Sequence, residues 1–303
     1  MYFYTNEFGE TSTALGIRGP DAYTYLQGQL TQDLNRSPGS AAYGLWLDQK
    51  GKVVADSTVL RRKENDFLVI CRSATAEALR IRLESYLVAD EVDLADESEA
   101  WLWGQAWGEG AAGAIEPIFG RLPERGEFVE SRNGLLWAGR APGRENFEWL
   151  SPRSRAAEVS GAFVRAGARS ADLGLAERER ILAGVVAVPA DIGPGDLPNE
   201  GGLEETAISF TKGCYLGQEV MSRLKNLGQV RRRLHLIRGP GACPPPRTAL
   251  QQAGRKVGEI RSASADGDGF VAMAMVSLIQ FDPAEPMSLE PGGRPEIRVL
   301  RRV

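Results

Sequence analysis

Histidine is almost missing from this chain: His235 is the only one among 303 residues, and only three cysteines accompany it, Cys71, Cys214 and Cys243. The cysteines are far apart and form no CxxC pair, which argues against a disulfide scaffold, a structural zinc site or a resident iron–sulfur cluster. A metal set would need a second imidazole that the chain does not have, so no metal is expected. His235 sits between leucines on a strand-like stretch, and no Ser/His/Asp set can be assembled around it.

Long apolar runs are also absent. No stretch approaches the roughly 18 residues of a membrane helix, and the opening MYFYTNEFGE has neither the basic nor the apolar region of a signal peptide. The expected compartment is the cytoplasm, with no membrane contact. Charge of one sign is not in excess either: 36 basic against 40 acidic residues give a net −4, with no bulk attraction to nucleic acid. No direct nucleic-acid partner is expected.

What is present is enough chain for a large core and for two or three domains. A strand near 15–18 leads into Gly19-Pro20-Asp21, which starts a helix carrying Tyr23, Leu26 and Leu30 on one face. Strand-like stretches AAYGLWLDQKGKVVADSTVLRR and DFLVICR follow, folded about turns at Gly51 and at 64–66, then a helix over 74–88 and a short strand in EVDLADE. Strands followed by a helix and another strand suggest an α+β layer rather than a doubly wound sheet. WLWGQAWGEG reads as a strand with a turn and opens a second such unit. Its strands are expected near 115–119, 134–140 and 145–150, and its helices over 154–166 and 172–184. The Gly-, Pro- and acid-rich 187–202 reads as a long loop, GPGACPPPRT as a stiff linker, and the last 60 or so residues as a small all-β module.

Gly108, Gly110 and Gly113 have GxGxxG spacing, but Pro117 should interrupt the helix a dinucleotide site requires. The cluster Arg231-Arg232-Arg233 lies in QVRRRLHLI, where it reads as a solvated or anion-facing strand. The run KGCYLGQEV is more informative. Lys212 precedes Cys214 by two residues, and an amphipathic helix over 217–226 begins nearby; an ammonium and a helix N-terminus both favour a thiolate. A free cysteine is otherwise a small buried hydrophobe, and from the residues alone both readings stand.

TKGCYLGQEVMSRLKNLGQVRRRL, with GPDAYTYLQGQLTQDL and RERILAG, resembles the YgfZ-type folate-binding proteins, relatives of the glycine-cleavage aminomethyltransferase or T-protein. The resemblance implies an α+β fold with two interleaved α+β domains around a central cavity and a C-terminal small β-barrel. The expected divisions are 1–40 with 100–205, 41–99 with 206–237, and 238–303. It also implies Lys212 and Cys214 as the reactive pair, with Gln218, Glu219, Arg223 and Lys225 as the folate-binding signature. Arg223 and Lys225 suit the anionic glutamate tail of tetrahydrofolate, and Gln218 can both donate and accept.

Two positions depart from the family pattern. Ala78 stands where the transferases are expected to carry a catalytic aspartate, and Leu182 stands where RIEAG-type elements carry a pterin-binding glutamate. An unpaired pterin edge costs about 1–3 kcal/mol, which weakens the folate site; Glu179 or Glu200 is the acid that would stand in. The resemblance therefore implies an accessory protein for iron–sulfur enzymes, including tRNA-modifying ones, with such enzymes as partners. The alternatives are an aminomethyltransferase acting on tetrahydrofolate and a lipoyl carrier protein, or a protein-interaction module that has kept the fold and lost the ligand.

Overall fold

The computed structural model describes residues 1–9, 11–228 and 230–303; Glu10, at the end of MYFYTNEFGE, and Gln229, at the head of QVRRRLHLI, lie outside the described residues. The chain divides into two compact units. The first comprises Met1–Leu47, Ala55–Ala171 and Ala207–Leu216, and the second Asp48–Val54, Asp172–Thr206 and Gly217–Val303.

The first unit is built on two sheets. One holds β1 (Tyr2–Glu7), β7 (Trp101–Trp107), β8 (Phe128–Ser131), β9 (Gly134–Ala138), β10 (Asn146–Pro152) and β11 (Arg169–Ser170), in the order β11-β1-β7-β10-β9-β8. The other holds β2 (Thr13–Arg18), β3 (Ser40–Leu47), β4 (Val53–Lys63), β5 (Asp66–Cys71) and β6 (Asp93–Asp96), in the order β3-β4-β5-β2-β6. Strand alternation sends Phe67 and Val69 to one face of β5 and Leu68 and Ile70 to the other, and both faces are buried.

Leu68 and Ile70 join Trp103, Leu135, Trp137 and Leu150 of the first sheet in a core between the sheets. Phe67 and Val69 pack instead with Leu26 of α1 (Ala22–Gln29) and with Leu79 and Leu83 of α2 (Ala76–Glu84). On the far face of the first sheet, Trp149 packs with Ile115 and Phe119 of α3 (Ala111–Phe119) and with Val159 and Phe163 of α4 (Ala156–Arg165). The unit is thus four layers, helix–sheet–sheet–helix.

Helix α3 replaces the strand expected near 115–119. Ala111, Ala114, Ile115 and Phe119 are buried at helical spacing, and Pro117 falls in the final turns, where its lost hydrogen bond leaves most of the helix intact. The GxGxxG glycines do open a helix after a strand, so the proline is not what rules out a dinucleotide site. β7 runs antiparallel to both β1 and β10, and the parallel crossover such a site needs is missing there.

The second unit centres on a sheet of β12 (Arg232–Pro240), β13 (Ala249–Gln252), β14 (Arg255–Asp266), β15 (Gly269–Ser277) and β16 (Arg298–Arg302), in the order β13-β14-β15-β12-β16. Bridges Gln251↔Ser288 and Met287↔Ile297 carry the pairing from one outer strand toward the other, in barrel fashion. GPGACPPPRT joins β12 to β13 within this sheet. α5 (Leu173–Ala183), with Asp172 accepting the Leu175 N–H at 2.7 Å as its N-cap, lies on β14. The 187–202 loop contains a 3₁₀ turn at Pro198–Gly201. Ion pairs fasten these segments together: Arg180 of α5 to Asp191 of the loop at 2.6 Å, and, from loop to sheet, Glu200 to Arg232 at 2.6 Å and Asp196 to Arg261 at 3.2 Å. Among the described residues no helix is long and apolar enough to cross a membrane.

Candidate functional site

The segment 207–216 belongs to the first unit because α1 and the turn after it hold it there. Thr31 Oγ1 donates to the Ala207 carbonyl at 2.6 Å, the Ser209 N–H donates to Thr31 O, and the Leu216 N–H donates to Gly28 O. Lys212 closes this set. Its side chain is 8% exposed, and Nζ donates to Leu30 O at 2.8 Å and Gln32 O at 2.9 Å, beyond the C-terminal end of α1 where backbone carbonyls favour a cation. Burial pulls the Lys212 pKa down to about 8, with Asp33 opposing the shift. Asp33 is itself held low: burial would raise it, but the Asn35 N–H and Gln27 outweigh that.

Cys214 is exposed, two residues from this anchor. The sequence placed the Lys212 ammonium beside the thiol; the structure engages it with the Leu30 and Gln32 carbonyls and sets it 5.4 Å from the Tyr215 ring. Lys212 therefore fixes the backbone that carries Cys214. Cys71 is buried, and Cys243 is exposed elsewhere, on the loop between β12 and β13.

The other four predicted residues lie in the second unit, on α6 (Gln218–Leu227), which begins at Gly217 in a left-handed conformation (φ 85°). Val220 and Met221 lie against the turn before β4: a Cβ on Gly51 would come within 2.9–3.0 Å of them, so the close approach and φ of +71° both require glycine. Gln218 is half-buried, whereas Glu219, Arg223 and Lys225 are exposed. Among the described residues Arg223, 80% exposed, has one ion-pair contact, at 4.0 Å to Glu219, and is available to an external anion.

One functional candidate was missed in the sequence. Asp56 on β4 is 7% exposed, and its carboxylate accepts from Tyr43 at 2.9 Å and from Ser73 at 2.8 Å, with Arg140 at 3.9 Å. Tyr43, Asp56, Arg72, Arg140 and Glu148 line a polar niche of about 20 Å³, room for about one water or one polar ligand atom. Burial pushes the Tyr43 phenol well up, so it stays a donor. Arg140 stacks over Tyr43 and Arg72 over Trp103. A buried carboxylate held by two hydroxyls beside two guanidiniums can orient a hydrogen-bonding ligand or take a proton. The hint in the sequence was a single charge inside an otherwise uncharged strand-like stretch, VVADSTV.

Ala78 is exposed on α2, where its N–H donates to the Thr75 cap at 3.0 Å. Leu182 is half-buried on α5. Neither proposed stand-in acid is idle: Glu179 pairs with Arg178 at 2.6 Å, and Glu200 with Arg232 while capping the Leu197 N–H. Arg232 and Arg233 face carboxylates of their own chain, Arg233 meeting Glu204 at 3.2 Å. His235 is packed against Phe281, and burial lowers its pKa. Among the described residues no group of three or more His, Cys, Asp and Glu side chains could hold a metal.

Two family models match the chain. A GCVT N-terminal domain family model matches residues 10–212, and a CAF17 C-terminal β-barrel domain model matches residues 231–299. The tRNA-modifying protein YgfZ of Edwardsiella ictaluri (strain 93-146) is 32% identical over 279 residues, covering 86% of this chain and 81% of that protein. The mitochondrial iron–sulfur cluster assembly factor IBA57 of Homo sapiens is 28% identical over 284 residues, covering 87% of this chain and 75% of that protein. In fold, the chain is similar to the glycine cleavage system aminomethyltransferase T from Bartonella henselae, with a TM-score of 0.81 at 18% identity, over 98% of this chain and 85% of that one.

Proposed function

Because the chain belongs to the GCVT-domain family and carries a CAF17-type C-terminal barrel domain, we propose that it is a folate-binding accessory protein supporting iron–sulfur cluster assembly and, through it, tRNA-modifying enzymes. The relatives named as a tRNA-modifying protein and as an iron–sulfur cluster assembly factor support the role. The observation that carries the reading is the presentation of Cys214: an exposed thiol on a backbone anchored by buried Lys212. Cys214 is the group offered to the ligand or to a client protein. The clients are iron–sulfur enzymes, in the cytoplasm.

Tetrahydrofolate fits the donor chemistry of the chain. Exposed Arg223 and Lys225 suit its carboxylate tail, with Gln218 and Glu219 as polar neighbours on the same helix. Titration calorimetry of the full chain with tetrahydrofolate tests this half: binding is expected, weakened several-fold in Arg223→Ala, and no heat from the parent chain would overturn it.

The aminomethyltransferase reading is favoured by one observation, the buried Asp56 carboxylate beside Tyr43. Methylene transfer to tetrahydrofolate with a lipoyl carrier protein, abolished by Asp56→Asn, would establish it in place of the accessory role.

A further inference from the structure

The second unit holds an open groove of about 660 Å³ whose floor is apolar: Val257, Met275 and Val276 of the sheet, with Leu197 and Leu224 at its sides. Val257, Met275 and Val276 are buried in the strands, so the floor is part of the packed sheet. From Ser277 in the lining the chain runs directly into Leu278 and Ile279, which are 41% and 77% exposed. The Leu278 N–H donates to the carbonyl of Arg231, another lining residue, at 2.9 Å, which keeps this apolar pair beside the groove. With half-buried Leu197 and Leu224 at its sides, this exposed pair carries the apolar lining of the groove out to the surface.

The charges around it have one uncompensated sign. Both lining carboxylates are neutralised from within, Glu200 by Arg232, and Glu259 by Arg247, Arg261 and a 3.6 Å contact to Lys256. Arg231 is exposed and has no ion-pair partner among the described residues, and Lys256 has only that long contact. We infer that this groove docks a short peptide segment of a partner protein in which an acidic residue lies between apolar side chains. The acid meets Arg231 and Lys256, and the apolar side chains cover the floor and Leu278–Ile279. A small anion would leave those two residues in water, which favours the peptide. The inference requires neither folate nor Cys214, so its failure would leave the proposed function untouched.

Panning a random twelve-residue phage-displayed library on the full chain, with counter-selection on the Arg231→Glu/Lys256→Glu double variant, supplies the probe. The expected consensus has an acid flanked by apolar residues. The corresponding synthetic peptide should lose at least ten-fold in affinity with Arg231→Glu and with Leu278→Ser. These side chains are exposed, so the variants keep the fold, and circular dichroism checks that they do. The peptide should also slow amide exchange over 275–279. No clone surviving counter-selection, a consensus without an acid, or displacement of the peptide by tetrahydrofolate would each overturn the inference.

Discussion

Replacing Lys212 by methionine keeps the apolar stem and removes the ammonium. The variant should lose stability at pH 7, because the carbonyls of Leu30 and Gln32 lose their donor; an unpaired buried acceptor costs about 1–3 kcal/mol. The pH dependence is the sharper test. Burial lowers the Lys212 pKa from 10.5 to about 8, so between those values the unfolded chain holds a proton that the folded chain has released. Stability contributed by this group therefore rises with pH across that window, by at most roughly 3 kcal/mol. The neutral amine still has two hydrogens for its two carbonyls, so the anchor survives deprotonation. All six tryptophans, Trp46, Trp101, Trp103, Trp107, Trp137 and Trp149, lie in the unit that contains Lys212. Urea unfolding followed by tryptophan fluorescence thus reports on the correct unit. The gap in stability between parent and Lys212→Met should widen from pH 7 to pH 10, since titrations common to both cancel. A gap that stays level or narrows would refute the buried, desolvated ammonium.

In the second unit, Arg180→Met leaves the fully buried Asp191 with only Ser262 and the Ala187 N–H as donors, and should cost about 3–5 kcal/mol in urea unfolding followed by far-ultraviolet circular dichroism. Gly51→Ala forces a side chain into a left-handed conformation and against Val220 and Met221; a loss of about 1–3 kcal/mol is expected, with faster amide exchange confined to the turn and α6. Glu97→Gln should flatten the acid side of the stability profile. Burial raises its pKa, but Arg62 and Arg18 outweigh burial and hold it below the usual range, so its contribution is present at neutral pH and lost as pH falls through the folded value.

Local signals were the readable ones. Asp172 as a cap, Gly184 as a terminator and the glycine before α6 mark helix ends through the chemistry of a few neighbouring residues. Near 115–119 two local signals conflicted, and the helical spacing of Ile115 and Phe119 prevailed over Pro117 because the proline came so late. The site was less readable because its contacts are distant in sequence. Lys212 meets carbonyls about 180 positions away, which no spacing within KGCYLGQEV reveals. Asp56 is a single acid on a strand, and it becomes a candidate only once Tyr43, Ser73 and Arg140 converge on it. The four residues of the helical signature were visible as a pattern, but their exposure on α6 was not, because it depends on how Val220 and Met221 meet the Gly51 turn.

The most direct test of the account is to supply this chain, or its Cys214→Ser variant, to cells lacking their own YgfZ-type protein and to measure the activity of an iron–sulfur tRNA-modifying enzyme as modified nucleoside per tRNA. The parent chain is expected to restore modification, and Cys214→Ser, folded and equally abundant, is expected not to. Equal restoration by both would contradict the assignment of Cys214 as the working thiol, and restoration by neither would contradict the accessory role.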